Sequence, residues 1–372
     1  MSTQPDLLYS EEEEALRSAV RDLLADHCGA AAVLARVETD EPHDRALWKN
    51  LAESMGLAGL LVPEERGGQG ASHREAAVVL EELGRAVAPV PYLTSAVIAT
   101  EALLGCDTEE ARTLLASLAS GRTVGALAVP LSAGPGHGFR DVTAAGEELT
   151  GRVTAVADAA VADVFLVPTR SGLFAVDATA DGVSVEAQIS FDRTRPLAAV
   201  TFTGAAGRLL TGDAAPAVRR ALRAGAGLLV SEQLGLADWL LTETVRYTRE
   251  RNQFNRPVGS FQALKHRLAQ LWLEVVNTRA VARNAADALA TDSDDSDDSA
   301  ETDTAVAVAQ AYAAPVAVRA AEEALQLHGG IGMTWEHPIH LYLKRAKADS
   351  IALGTAGRHR EELAELADLR AP

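Results

Sequence analysis

The segment YTRERNQFNRPVGSFQ, at residues 247–262, joins long stretches of helical periodicity and decides the fold of this chain. Apolar residues recur at three- and four-residue intervals from Val218 to Arg251, from Phe261 to Ala290 and from Thr304 to Leu327. This pattern is typical of amphipathic helices that bury one face. The last third of the chain is therefore predicted to be a bundle of long antiparallel helices.

Two regions of different character precede this bundle. The helical period also dominates from Tyr9 to about Ser120, whereas short β-type runs separated by Gly, Asp and Pro fill Arg122 to about Leu210. These runs are Val124–Val129, Val164–Val167, Leu173–Val176, Val183–Val185 and Ala199–Phe202. We expect a mainly α, α+β fold with domains at residues 1–120, 121–212 and 213–372. The middle domain should be a β-sandwich or barrel and the last a four-helix bundle.

Composition indicates an ordinary globular protein. The 372 residues carry a formal charge of −18, which is the wrong sign for binding a phosphate backbone. No apolar run reaches the roughly 20 residues of a membrane-spanning helix, and residues 1–17 lack the layout of a signal peptide. We expect a cytoplasmic protein without nucleic-acid or membrane partners. The only cysteines, Cys28 and Cys106, are expected to be reduced packing residues.

An acidic, low-complexity segment, TDSDDSDDSAETD, occupies residues 291–303 between two helical patterns. Such a composition offers almost no apolar surface for a core. We expect a mobile loop without a function of its own.

No metal site is predicted from the sequence. The two histidines closest to the distinctive motifs are His266 and His328. Neither has a second histidine or a carboxylate at metal-ligand spacing along the chain. Both are expected to be packing residues or to hydrogen-bond neighbouring site residues, and neither is expected to act as an acid or a metal ligand.

Three motifs resemble those of the acyl-CoA dehydrogenase family. The segment 247–262 is similar to the family's connection between the first two long helices of its C-terminal domain. The sequence QLHGGIGMTWEHP at 326–338 resembles the family's Gln-x-x-Gly-Gly-x-Gly loop, and PEERGG at 63–68 with EELGR at 81–85 resembles its N-terminal domain. The resemblance covers most of the chain and implies the family's order of helical, β and helical domains.

The resemblance also implies residues that contact a cofactor. In that family FAD lies at a subunit interface, where the neighbouring subunit holds its adenine and pyrophosphate end. Arg251 matches an arginine that binds phosphate oxygens, and Gln326, Gly329 and Gly330 match a loop whose backbone approaches the dinucleotide. We call these four the clamp residues. The implied cofactor-binding set also includes Gln253, Phe254 and Thr355.

The catalytic base is missing from both positions where the family carries it. The family's reaction removes a proton next to a thioester while a hydride leaves for the flavin, so it needs a carboxylate as general base. In most members this is a Glu just before Gly-Thr, where this chain has Leu353. In a minority the base lies on the first long C-terminal helix, at the position of Gly225. Glu232 is an alternative base, but it lies roughly 10 Å further along the helix.

The part of the family's fold that holds the flavin ring is altered as well. Its hydroxyl-rich turn corresponds to VPLSAGPG at residues 129–136, and its Trp-containing strand corresponds to VADA at 156–159. The hydroxyl pattern, the acid and the aromatic are absent, and Gly357 replaces the Gln that usually follows Thr355. The losses fall on one side of the cofactor, while the clamp residues remain on the other.

This asymmetry favours the non-catalytic subunit of a heteromeric acyl-CoA dehydrogenase. The resemblance implies an α2β2 assembly like those of actinobacterial steroid side-chain breakdown. FAD would be shared with a catalytic partner that binds most of the acyl-CoA, and an electron-transfer flavoprotein would accept the electrons. Two alternatives stay open: a homotetrameric flavin dehydrogenase with a displaced base such as Glu232, and a flavin-free scaffold or CoA-thioester-binding protein.

Overall fold

The N-terminal region is helical, and its helices begin at capping boxes. In this computed structural model, which describes residues 7–292 and 296–369, the Ser10 hydroxyl accepts from Glu13 N–H while the Glu13 carboxylate accepts from Ser10 N–H. Ser72 and Glu75 start another helix in the same way. The helices are α1 (Glu11–His27), α2 (Ala30–Val37), α3 (Arg45–Lys49), α4 (His73–Ala86), α5 (Thr100–Leu104) and α6 (Glu109–Ala119). Short π and 3-10 turns lie at Asn50–Ser54, Leu57–Gly59, Glu64–Arg66 and Tyr92–Ala99.

The middle region consists of two four-stranded sheets. Its strands are β1 (Gly125–Leu127), β2 (Val142–Ala145), β3 (Glu148–Ala157), β4 (Val164–Thr169), β5 (Gly172–Asp177), β6 (Val183–Ala187), β7 (Leu197–Ala206) and β8 (Arg208–Thr211). The strand orders are β1-β4-β5-β8 and β2-β3-β7-β6, and only the β1–β4 pair is parallel. Phe165 and Phe202, one from each sheet, meet edge to face at 6.1 Å in the shared core.

The C-terminal region is a bundle of long helices. It contains α7 (Ala214–Glu250), α8 (Gln262–Thr291), α9 (Ser296–His328), α10 (Ile339–Asp349) and α11 (Ala356–Leu366). A short hairpin of β9 (Asn252–Gln253) and β10 (Arg256–Pro257) connects α7 to α8. A 3-10 turn at Gly329–Met333 follows α9. None of the helices in residues 7–292 and 296–369 is both long and apolar enough to cross a membrane.

Helices α4 and α7 cross with their backbones in direct contact. A Cβ atom at Gly235 would lie 1.9 Å from the Glu81 carbonyl oxygen, and one at Gly84 would lie 2.2 Å from the Glu232 carbonyl oxygen. Any larger residue at either position would force the helices apart. The two glycines therefore fix the N-terminal helices against the C-terminal bundle.

The prediction of a mobile loop over residues 291–303 is wrong for most of the segment. Residues 293–295 lie outside the described part of the chain, but 296–303 are already helical. Asp303 is buried and pairs with Arg223 at 3.4 Å. An ion pair to α7 therefore gives this acidic sequence a place in the bundle, although its composition offers no apolar face.

The two cysteines are free and buried, as the sequence predicts. Burial raises the thiol pKa of Cys28 to about 12 and that of Cys106 to about 11. Both thiols therefore stay protonated at neutral pH and lack the thiolate that reacts or binds metals.

Candidate functional site

The two positions predicted to correspond to the family's catalytic base lie side by side in this fold. A Cβ atom at Gly225, in the middle of α7, would lie 2.8 Å from Ile98 Cγ1 and 3.2 Å from Leu353 Cδ1. Leu353, in the loop before α11, is itself only 1 % exposed. Neither position offers a group that can take up a proton, and a larger residue at 225 has no room.

A small apolar cavity lies beside Leu353, and its lining on α7 is Leu222, one helical turn before Gly225. Its volume is about 20 Å³, enough for one water molecule and far below the roughly 300–1,000 Å³ of typical small-molecule sites. Its lining consists of Thr94, Ile98, Leu127, Val129, Pro130, Leu131, Ala157, Leu222 and Leu353. Thr94 is the single hydroxyl of this lining, and its Oγ1 donates to Asp158 at 2.7 Å. Neither an acyl chain nor a flavin ring fits into this space.

The turn predicted to correspond to the family's flavin-binding turn is hydrogen-bonded to other backbone segments of this chain. Leu131 N–H donates to the Ala155 carbonyl, and Leu353 N–H donates to the Leu131 carbonyl, both at 2.8 Å. A Cβ at Gly134 would lie 3.4 Å from the Leu353 carbonyl oxygen, so the turn also packs on the loop that carries Leu353. Backbone groups that would face a flavin are therefore paired within the protein. The residues on this side do not fit a flavin bound by this chain alone.

Asp158 directly follows β3, in the segment predicted to correspond to the family's Trp-containing strand. It is 2 % exposed, and its carboxylate contacts His43 Nε2 at 2.8 Å and Thr94 Oγ1 at 2.7 Å. Burial raises the pKa of Asp158, but the hydrogen bond to His43 and the charge of Arg195 outweigh it, so the pKa lies below its usual value. The carboxylate is ionised with both oxygens bonded, and it is not free to act as a base.

Glu232, the alternative base, is held between two buried arginines. Arg345 Nη1 donates to one carboxylate oxygen at 2.6 Å, and Arg195 Nη2 donates to the other at 2.5 Å. Burial raises the pKa of Glu232, yet the two guanidinium charges lower it further, and the result lies below its usual value. The side chain does not line the apolar cavity. Glu232 is thus an ion-pair residue without access to a substrate.

The same arginines extend this contact into a buried network across three elements. Arg345 Nε donates to Asp192 at 2.6 Å, and Arg195 Nη1 donates to Asp349 at 2.8 Å. Burial and the negative charge of Glu232 raise the pKa of Asp349 well above its usual value, which favours its protonated form. Two arginines then face the two remaining carboxylates, and the charges balance. The network fixes α7 and α10 to the β6–β7 connection, directly beside the closed cavity.

The clamp residues lie at the surface, at one end of the bundle. The Tyr247 hydroxyl donates to the His328 carbonyl at 3.2 Å and the two rings stack at 4.3 Å, so the end of α7 meets the end of α9. Arg251 directly follows α7, while Gln326, Gly329 and Gly330 flank His328.

The clamp residues are also free to bind a ligand. Among residues 7–292 and 296–369, no hydrogen bond or ion pair engages the Arg251 guanidinium or the Gln326 amide. No atom of the described chain lies within 4 Å of a Cβ placed at Gly329 or Gly330. Gly329 adopts φ +63°, a conformation that favours glycine. These groups are therefore available to a ligand or to another chain.

The remaining cofactor-binding candidates divide between the two sides. Gln253 and Phe254 lie in the exposed β9–β10 hairpin, where Phe254 is 86 % exposed and contacts Phe261 edge to face at 6.0 Å. Thr355 instead lies beside Leu353 and caps α11, since its hydroxyl accepts from Arg358 N–H at 3.3 Å. Phe254 and Gln253 thus join the open end, whereas Thr355 serves a helix on the closed side.

The structure also brings together three groups that the sequence analysis did not combine. A carboxylate oxygen of Glu243 and one ring nitrogen each of His328 and His337 lie within 4.8 Å of one another. The sequence offered no such partner at metal-ligand spacing along the chain, and the fold brings these two groups near His328. Glu243 lies far away in sequence on α7, and the turn after α9 folds His337 back onto His328, so linear spacing carried no signal.

Comparison with known proteins agrees with this architecture. The acyl-CoA dehydrogenase N-terminal domain matches residues 10–122, and the acyl-CoA dehydrogenase C-terminal domain matches residues 215–367. The acyl-CoA dehydrogenase IpdE2 of Mycobacterium tuberculosis is 37 % identical over 338 residues, which cover 90 % of this chain and 91 % of that protein.

Two solved heteromeric complexes contain chains of similar structure. The ChsE4–ChsE5 complex from Mycobacterium tuberculosis matches with a TM-score of 0.87 and 30 % identity, over 98 % of this chain and all of that one (100 %). The steroid ACAD complex Tcur3481–Tcur3483, solved as a variant, matches with a TM-score of 0.84 and 30 % identity, over 96 % of this chain and 98 % of that one. With both family domains matched and a relative of this identity over most of its length, this chain belongs to the acyl-CoA dehydrogenase family of flavin-dependent oxidoreductases.

Proposed function

We propose that this chain is the non-catalytic subunit of a heteromeric acyl-CoA dehydrogenase and that its clamp residues hold FAD seated in a catalytic partner. With no room for a larger side chain at Gly225, the observation that carries the proposal is the apolar cavity of about 20 Å³ beside Leu353. It contains no base and no room for substrate, whereas the clamp end is exposed and unpaired. A chain with one functional side of a two-sided site acts through a second chain that supplies the other side.

The division of labour follows from the residues present. Arg251 can bind pyrophosphate oxygens with its planar guanidinium, and the open backbone at Gly329 and Gly330 can approach the dinucleotide closely. Gln326 supplies an amide to the same end, and Phe254 an apolar face. FAD, when bound, accepts the hydride. The partner supplies the base, the flavin-ring pocket and most contacts to the acyl-CoA, and an electron-transfer flavoprotein removes the electrons.

The relatives support a heteromer and suggest the substrate class. Both structural relatives named above are complexes of two different chains, and one of them is described as a steroid ACAD. We therefore propose an α2β2 assembly that oxidises the CoA thioester of a steroid-derived acid.

The first test is co-expression with a homologous chain that carries the Glu-Gly-Thr or helix base. The chain alone should be colourless, and the co-expressed pair should elute as an equimolar yellow complex with dehydrogenase activity. Stoichiometric flavin and turnover in the single chain would contradict the proposal.

A flavin-free scaffold is the second candidate, because the closed cavity fits it equally well. The Arg251→Ala variant separates the two, with Arg249→Ala as its control, since Arg249 is an exposed arginine of the same helix end. A clamp requires that only Arg251→Ala weakens FAD retention in the reconstituted complex. A scaffold requires that neither variant does.

A further inference from the structure

Glu243, His328 and His337 form a compact cluster below the loop that carries Gly329 and Gly330. The ring centroids of the two histidines are 4.9 Å apart, and one ligand atom from each of the three residues lies within 4.8 Å of the other two. Glu243 comes from α7, His328 ends α9, and His337 precedes α10. Three separate segments thus converge on one point with two imidazoles and a carboxylate.

His328 is oriented as a metal ligand usually is. It is 3 % exposed, and its Nδ1–H donates to the Ala324 carbonyl at 2.7 Å. This bond places the lone pair of the neutral ring on Nε2, which is buried and has no hydrogen-bond partner in the described chain. A backbone carbonyl on the second ring nitrogen is the arrangement that fixes the tautomer of a coordinating histidine. A buried acceptor without a partner is otherwise costly, and a cation would satisfy it.

Both histidines are in the protonation state that binds metals. Burial lowers the pKa of His328 and His337, and the nearby Arg246 acts in the same direction while Glu243 opposes it. The rings are therefore neutral at pH 7. Metal ions bind the neutral imidazole, so no proton has to leave first.

The carboxylate of Glu243 can be released to a metal. It now accepts hydrogen bonds from Arg246, including one from Nε at 2.9 Å. Arg246 is exposed and also reaches Glu250 at 2.8 Å, whereas Glu243 is half-buried and accepts from two Arg246 donors, so its release costs on the order of 1 kcal/mol. Arg246 can keep Glu250 while Glu243 turns to a metal.

We propose that Glu243, His328 and His337 bind one divalent transition-metal ion, with zinc the best match. Two histidines, one carboxylate and a position left for water form a recurrent zinc ligand set. Ligand atoms around tetrahedral zinc stand about 3.4 Å apart, because each bond is about 2.0–2.1 Å long. Contraction from 4.8 Å needs shifts of only about 1 Å, and Glu243 and His337 are half-buried side chains that can make them.

The bound ion would tie both ends of the segment 328–337 to α7. That segment carries Gly329 and Gly330, so the metal would hold the clamp loop in one conformation. The site does not depend on the proposed function, because its residues all belong to this chain and no flavin takes part in it.

The test is direct metal titration of the full chain after chelation. Zinc should bind with a stoichiometry of one per chain, and cobalt at the same site should give the intense visible bands of four-coordinate Co²⁺. His337→Gln and Glu243→Gln should each weaken binding by roughly 100-fold or more, since even residues that only orient ligands contribute 10- to 100-fold. His340→Gln is the matched control, as it lies just beyond the cluster.

Three results would overturn the proposal. These are absent saturable binding to the wild-type chain, unchanged affinity in both ligand variants, and an equal loss in His340→Gln. Thermal unfolding without metal guards against misfolding, because all three variants should match the wild type when chelator is present. His328 is left intact because its ring is also packed on Tyr247.

Discussion

The cavity at Leu353 and the exposed end at Arg251, which we propose are the two sides of one shared site, differ in how their polar groups are satisfied. At the cavity, backbone groups of the 129–136 turn bond to one another and side chains are apolar. At the exposed end, the Arg251 guanidinium and the Gln326 amide have no partner in the described chain. Polar groups are paired within the chain on the cavity side and free on the exposed side, and our proposed division of labour rests on this difference.

The largest effect should come from breaking the charged network beside the cavity. Arg345→Met leaves Asp192 and Glu232 buried with one guanidinium fewer, and the loss of one partner of a buried pair costs about 3–5 kcal/mol. Urea unfolding at pH 7 measures it. Lys347→Met on the same helix removes only an exposed pair with Glu322 and should change the free energy of unfolding by less than about 1 kcal/mol. Equal effects of the two variants would mean that the network does not hold the closed side.

A second variant tests whether the cavity can be reopened by restoring the acid. Leu353→Glu places a carboxyl group among apolar side chains without a partner, and we expect a loss of about 2–4 kcal/mol at pH 7. The loss should be smaller at pH 5, where the carboxyl is protonated more easily. Leu353→Met, of similar volume, should cost less than about 1.5 kcal/mol. A stable Leu353→Glu chain that binds flavin and turns over substrate would show that the cavity is not closed in solution.

On the exposed side, the expected effect is on binding rather than on folding. Arg251→Ala should weaken FAD retention in the heteromer by about 1.5–3 kcal/mol, the size of a hydrogen bond to a charged group. The free energy of unfolding of the chain alone should not change, because no hydrogen bond or ion pair in the described residues engages the Arg251 guanidinium. Flavin release during dialysis of the complex gives the first quantity, and urea unfolding gives the second. A large loss of stability would place Arg251 in the fold instead of the clamp.

The last prediction concerns the proton on Asp349. Its folded-state pKa is raised well above its usual value, so its contribution to stability is complete below about pH 4 and declines as pH rises towards the folded-state pKa. Asp349→Asn mimics the protonated form and keeps the oxygen that accepts from Arg195. Its stability relative to the wild type should therefore rise by up to about 1.4 kcal/mol per pH unit above pH 4. A difference that stays constant between pH 5 and pH 7 would show that Asp349 is ionised in the folded protein.

The sequence predicted the elements that have one strong period and missed those that do not. The apolar period from Val218 to Arg251 corresponds to α7, and the runs at Val164 and Leu173 correspond to β4 and β5. Strands β2 and β3 were missed because one face is solvated, so threonine, glycine and charged residues interrupt the run.

The site divides in a similar way. Motif spacing located Leu353, Gly225 and the clamp residues along the chain, but it could not show that the first two lie side by side or that only a small cavity remains beside them. The partners of Glu232 come from the β6–β7 connection and from α10, and the partners of His328 from α7 and a turn. Such groups come together only when the domains pack. No local sequence pattern therefore indicates that they are neighbours.

The contact between Gly84 and Gly235 also limits how this molecule can move. Two helices that touch through their backbones have no side-chain layer between them that can shear or repack. We therefore expect α4 and α7 to move together as one rigid unit. Adjustment to a partner must then come from the β9–β10 hairpin and the segment 328–337. Both lie at the C-terminal end of α7, away from this contact. We expect the helical core to keep its conformation when the chain associates with a partner, while the hairpin and the segment 328–337 adjust.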